Sequence, residues 1–207
     1  RYGRRQRQMC IRDRSNLIVN GKIDVKGKYV IELGAGAALP AIISALASAK
    51  LVLATDYDSK PIVDNMIKNI EKNIKEYSNI RSLGVTWGVT PAEKIFELSE
   101  NERFDCILLA DTLWLGDQHV ALLDMINDII NEETGIIYLT YQHHNEHAPS
   151  FFELATTNVK YNYEIIDTVK IPWGGRTLED FVELENDEEM YGPVLFTSMR
   201  KRTQNNY

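Results

Sequence analysis

The chain has 207 residues, 44% of them hydrophobic, which suffices for one sizeable core and falls short of two comfortable domains. Its net charge of −7 is uneven: residues 1–14 hold six Arg and one Asp, leaving 17 basic against 29 acidic residues, or −12, for a remainder that would repel a nucleic-acid backbone. Cys10 and Cys106 form no paired framework and no apolar run reaches the roughly 18 residues a spanning helix needs, so a disulfide scaffold and a membrane protein are disfavoured and the cytoplasm is the expected compartment.

The arginine-rich opening has no apolar period and cannot bury enough surface to offset its ordering entropy. Residues 1–15 are therefore expected to be disordered or non-native, with one domain over 16–203 and a short tail at 204–207. From Tyr29 onward, strand-length apolar runs alternate with amphipathic stretches, the pattern of βαβ units and a parallel sheet. Strands are predicted at Tyr29–Leu33, Leu51–Thr55, Arg81–Thr86, Phe104–Ala110 and Gly135–Tyr141. The fourth and fifth are apolar on both faces, as central parallel strands are. Helical stripes fall between them at Ala41–Ala47, at Ile62, Val63, Met66, Ile67, Ile70 and Ile74, and at Val120, Leu122, Leu123, Met125, Ile126 and Ile130. Pro40 suits a first helical turn. Phe151–Ala155 reads as a last helix, and Tyr163–Ile171 and Val194–Met199 as two further strands joined by a long acidic connection.

The first strand ends in Glu32-Leu-Gly34-Ala35-Gly36-Ala-Ala38-Leu-Pro40, where glycines let the backbone turn tightly and approach a ligand lying over the strand ends. The third position of the pattern is Ala38 rather than Gly, and such a degenerate motif is shared with dinucleotide-binding enzymes. Asp56 follows Gly34 by 22 residues, at the end of the second strand, where a carboxylate can accept both hydroxyl protons of a ribose; the alternative is an N-cap for the next helix. A hydride-transfer enzyme would need a second region shaped for nicotinamide and usually more chain. Glu32, two positions before the first glycine, suits a ligand with an ammonium group and no pyrophosphate; otherwise it bonds nearby backbone amides.

Together with Thr55-Asp56-Tyr57, Trp87-Gly88 and Ala110-Asp111-Thr-Leu-Trp114, this loop resembles the seven-β-strand methyltransferases of family 16. Within that family the chain is similar to fungal proteins described as nicotinamide N-methyltransferase-like, whose relatives methylate the N-terminus and a lysine of translation elongation factor 1-alpha. The resemblance covers roughly residues 24–200. It implies an α/β, Rossmann-like, mostly parallel sheet in the order 3-2-1-4-5-7-6 with helices on both faces, and S-adenosyl-L-methionine as cofactor. It also implies cofactor-binding roles for Glu32, Gly34, Ala35, Gly36, Asp56, Tyr57, Trp87 and Ala110, with core or rim packing the alternative for Trp87. The family carries a helix and a substrate-side segment before strand one, where this chain has its arginine-rich start.

The family's acidic-x-x-aromatic signature stands here as Asp111-Thr-Leu-Trp114, with Trp in place of the commoner Phe or Tyr. Asp111 is the candidate to orient an acceptor amine and Trp114 to wall the pocket through its ring face; N-capping and core packing are the respective alternatives. The motif lacks the paired prolines of nucleic-acid amino methyltransferases, so the expected acceptor is a basic protein, at a lysine or terminal amine. A small amine of the nicotinamide type and an inactive cofactor-binding fragment are the alternatives, and the chain is expected to be a monomer. His143 and His147 have a helical metal spacing, yet no cysteine or carboxylate pattern completes a site, and no metal is expected. Glu179–Glu189 holds seven acidic residues and no basic one: either a solvated loop or an attractant for a basic polypeptide.

Overall fold

A computed structural model describes residues 14–74, 79–142, 146–171 and 194–203. Seven strands form one sheet in the order β3-β2-β1-β4-β5-β7-β6, as the family resemblance implies. They are β1 (Tyr29–Leu33), β2 (Leu51–Asp56), β3 (Ile80–Gly84), β4 (Cys106–Ala110), β5 (Ile136–Gln142), β6 (Tyr163–Ile171) and β7 (Val194–Lys201). The first five pair in parallel, and β7 runs antiparallel to both β5 and β6. β3 ends sooner than the sequence suggests because the Thr86 N–H turns to the Thr90 hydroxyl at 2.9 Å.

The period of two sorts side chains onto two cores. Ile31, Leu33, Leu53, Ile107 and Leu109 point to one face. There they meet Leu122, Leu123 and Ile126 of α5 (His119–Ile129) and Phe151 and Ala155 of α6 (Ala148–Thr157). Val30, Val52, Ala54 and Leu108 point to the other, against Ala41 and Ala45 of α2 (Leu39–Leu46) and Met66 of α3 (Lys60–Asn73). Both faces of the central strands are covered, which is why β1 and β4 are buried throughout.

Two elements escape the periodicity reading. The helix α4 (Ala92–Leu98) fully buries only Ile95, so it carries no stripe to detect. Residues 14–19 are helical (α1), with Leu17 and Ile18 buried in the second core. Arg14 and Ser15, grouped by composition with the loose opening, are buried here. The Arg14 guanidinium donates to the Leu109 carbonyl of β4 and to Thr140 Oγ1 of β5, reaching beneath the carboxyl ends of the central strands.

Candidate cofactor and acceptor site

The strand order reverses between β1 and β4, and in open α/β sheets a crevice forms outside the carboxyl ends at that point. Two loops flank it. The first leaves β1 through Gly34 at φ +78° and Gly36 at φ +55°, then enters α2 through Ala38 at φ +60°. Ala38 thus takes the left-handed conformation that the third glycine of the pattern would adopt without penalty, at a cost of about 1 kcal/mol. Gly34 has no room for a side chain: a Cβ there would lie 2.8 Å from the Thr112 Cγ2 methyl.

Several backbone amides of this loop are already engaged. Gly34 and Ala35 donate to the Thr55 carbonyl at 2.9 and 2.8 Å, and Gly36 donates to Asp56 Oδ2 at 2.6 Å. At the start of α2, Pro40 has no N–H to offer and the Ala41 N–H is taken by Glu32 Oε2 at 3.0 Å. A dinucleotide fold lays its pyrophosphate on such amides and on the positive helix terminus. Here the buried Glu32 carboxyl takes the Ala41 amide at that terminus, which removes one such donor.

Asp56 faces the loop. Its Oδ1 accepts the Tyr57 N–H at 2.7 Å, and the N-cap of α3 is Ser59, so the carboxylate bridges the donor loop instead of capping the helix. Each oxygen retains a lone pair for a hydroxyl ligand. Tyr57 is exposed, with its ring outside the core. Trp87 lies three residues beyond Gly84, the β3 partner of Asp56, and packs half-buried against the first core. The adjoining Gly88 passes so close to Ala121 of α5 that a Cβ would lie 3.1 Å from its methyl.

Glu32 is fully buried, and burial pushes its carboxyl up to about 8, offset in part by the Arg14 charge and the Ala41 N–H. Only Oε2 is bonded; Oε1 has no partner among the described residues. The backbone-amide reading of Glu32 holds for Oε2 and leaves Oε1 unassigned. The glycine loop, the rim carboxylate at position 56 and the unengaged oxygen at position 32 fit a molecule with a ribose, an ammonium group and no phosphate.

The second loop follows β4. Ala110 is buried at the strand end, and Asp111 turns into the left-handed region at φ +54° while its N–H donates to the Thr140 carbonyl at 2.8 Å. Aspartate tolerates that conformation better than most residues, and strain of this kind collects at functional sites. The next helical turn is capped by Leu115 and α5 by Gln118, so Asp111 is not an N-cap. Trp114 is 49% exposed, which rules out simple core packing.

Sequence reasoning overlooked what holds this loop. His119 is buried, and its Nε2 lies 3.0 Å from the Leu113 carbonyl; a carbonyl only accepts, so Nε2 carries the proton. The ring stands edge-on to Phe151 at 5.3 Å, while Ser150 Oγ lies 3.4 Å from Nδ1 and donates to the His147 carbonyl at 2.8 Å. The His147 ring lies against Gly116, where a Cβ would sit 2.9 Å from Nδ1. His143 and the acidic stretch 179–189 lie outside the described residues. Among the described residues no group of three His, Cys, Asp or Glu could hold a metal ion, and no helix is long and apolar enough to cross a membrane.

Residues 8–158 match the family model described as lysine methyltransferase. The chain belongs to that family. Relatives include the "Protein N-terminal and lysine N-methyltransferase efm7" of Schizosaccharomyces pombe, 30% identical over 76% of this chain and 65% of its own length. The protein of the same description from Neurospora crassa is 33% identical over 64% of this chain and 52% of its own. The chain therefore spans about half to two thirds of these relatives. Among solved structures, magnesium protoporphyrin IX methyltransferase from Synechocystis PCC 6803, with bound SAM, aligns with a TM-score of 0.60 at 14% identity, over 95% of this chain and 79% of that one. Ribosomal protein L11 methylase from Lactobacillus delbrueckii subsp. bulgaricus aligns with a TM-score of 0.57 at 19% identity, over 93% and 78% respectively. This lysine methyltransferase family member thus shares a fold with methyltransferases that act on unlike substrates, so the fold alone does not specify an acceptor.

Proposed function

We propose that this chain is an S-adenosyl-L-methionine-dependent N-methyltransferase whose acceptor is a protein amine, a lysine side chain or a terminal amino group. The observation that carries the reading is the engaged amide set of the donor loop: Gly34, Ala35 and Gly36 are bonded to β2 and Ala41 at the start of α2 to Glu32, so these four amides are not available to a phosphate. The family match and the protein-directed descriptions of the fungal relatives support the protein acceptor over a small amine.

Gly34 and Gly36 would let the backbone approach the methionine and ribose parts of the cofactor, Asp56 would accept the ribose hydroxyls, Trp87 would hold the adenine and Ala110 would lie on the sulfonium side. Bound there, the cofactor would supply a methyl group on a positively charged sulfur for in-line displacement, the C–S bond breaking as the N–C bond to the amine forms. The acceptor must present a neutral lone pair, and a lysine of ordinary pKa near 10.4 must first release its proton to solvent. Asp111 holds an amine N–H at the crevice mouth and so aligns the lone pair. The exposed face of Trp114 attracts the cation that results. A body of net charge −12 favours approach by a basic polypeptide.

Calorimetric titration with S-adenosylhomocysteine tests the cofactor, and Asp56→Ala is expected to weaken binding about 100-fold, as loss of two charged hydrogen bonds implies. Labelled donor incubated with a basic protein extract or with nicotinamide tests the acceptor. Label confined to nicotinamide overturns the protein reading.

A further inference from the structure

Among the described residues, four buried side-chain oxygens have no hydrogen-bond partner: Glu32 Oε1, Asn79 Oδ1, Thr112 Oγ1 and Tyr163 Oη. Asn79 lies beside the turn into β2, donating to Ala45 and Ala49, and Tyr163 begins β6; both are remote from the crevice. The other two flank Gly34. Glu32 precedes it by two residues on β1, and the Thr112 methyl packs so tightly over its Cα that a Cβ there would lie 2.8 Å away. Thr112 is 5% exposed and follows Asp111, so it is the residue at which the acceptor-side loop touches the donor-side loop.

A buried hydroxyl without a partner is a standing cost to the folded chain, and burial of this depth ordinarily selects Val or Ala. Thr112 is held by its methyl against Gly34, which leaves Oγ1 in a fixed direction at the junction of the two loops. We propose that the Thr112 hydroxyl is a binding group for the zwitterionic amino-acid end of the methyl donor. A hydroxyl both donates and accepts, so it can meet the carboxylate or the ammonium of that end, and Glu32 Oε1 is the second buried oxygen without a partner flanking Gly34. The inference rests on the methyl-donor reading and adds a contact from the acceptor loop, which links occupancy of the donor pocket to the position of Asp111.

Two ligands isolate the contact. S-adenosylhomocysteine carries the amino-acid end, and 5′-methylthioadenosine has the same nucleoside and a thioether without it. Thr112→Val, which exchanges the hydroxyl for a methyl, is expected to weaken S-adenosylhomocysteine roughly tenfold in calorimetric titration, the loss of one hydrogen bond to a charged group. It should leave methylthioadenosine within twofold, and Thr112→Ser should retain affinity for both. The melting temperature of the ligand-free Val variant should equal or exceed that of the parent chain, since a hydroxyl without a protein partner is removed. A lower ligand-free melting temperature, equal weakening of both ligands, or no weakening of either overturns the assignment. If the parent chain binds neither ligand, the methyl-donor reading itself fails, and that result is read before any variant is made.

Discussion

Loop 34–38 and loop 111–118 meet at Gly34 and Thr112 but are held by different means. The donor-side loop is fixed by bonds within the first βαβ unit: Gly36 to Asp56, Ala41 to Glu32, and Thr55 Oγ1 to the Glu32 carbonyl at 2.7 Å. The acceptor-side loop draws on four separate segments: Thr140 of β5 for the Asp111 amide, His119 for the Leu113 carbonyl, His147 against Gly116, and Arg14 beneath Leu109. A loop tied locally keeps its geometry wherever the unit folds. One tied across the chain depends on the whole domain.

Breaking the deepest tie should have the largest effect. Arg14→Ala removes a fully buried guanidinium from the Leu109 carbonyl and Thr140 Oγ1, leaving those acceptors and a cavity behind. A loss of about 3 kcal/mol, roughly 10 °C in melting temperature for a chain of this size, is expected in thermal unfolding. A change below about 2 °C would show that the segment before β1 is dispensable to the sheet.

A mid-sized effect should separate the two loops. His119→Phe keeps an aromatic against Phe151 but deletes the donor to Leu113, so methyl transfer to the protein extract at saturating donor should fall about tenfold while S-adenosylhomocysteine affinity holds within twofold. His119→Gln, which can restore an N–H near the same place, should recover most of the rate. Parallel losses of rate and donor affinity would mean that the loops are not independently supported.

The smallest effect concerns a proton. Burial raises the Glu32 carboxyl to about 8 from an ordinary 4.5, so its contribution to stability is complete below pH 4.5 and is lost as pH rises through 8. The ligand-free melting temperature should therefore decline between pH 5 and 8 more steeply in the parent chain than in Glu32→Gln. An ammonium arriving beside Oε1 favours the ionised form. Binding of S-adenosylhomocysteine near pH 7 should then release up to one proton, measured as a dependence of binding heat on buffer ionisation enthalpy. Glu32→Gln should abolish that release, and a parent chain that releases none would place the ligand's charge elsewhere.

Much of the donor side could be read without coordinates. Tyr29–Leu33 and Tyr163–Ile171 begin and end where the pattern of apolar residues says they should, and the Gly34–Gly36 turn faces Asp56 as the 22-residue spacing implies. That information is local: strand, turn and helix start lie in one unit, and the chemistry of each position shows in its residue type. The split environment of Glu32, one oxygen on Ala41 and the other buried without a partner, was beyond reach because residue type alone does not assign individual oxygens.

The order of residues thus determined the alternation of strands and helices, the bend that a ligand can approach and the carboxylate beside it, since each depends on neighbours within one βαβ unit. Tertiary structure alone decided that Arg14 belongs to the packed domain, that His119 holds the Leu113 carbonyl and that the Thr112 hydroxyl is buried at the loop junction. Arginine in a charged run, histidine at a helix start and threonine after a strand are ordinary in sequence. Their roles arise from contacts across up to 126 residues of chain, which only the closed sheet brings together.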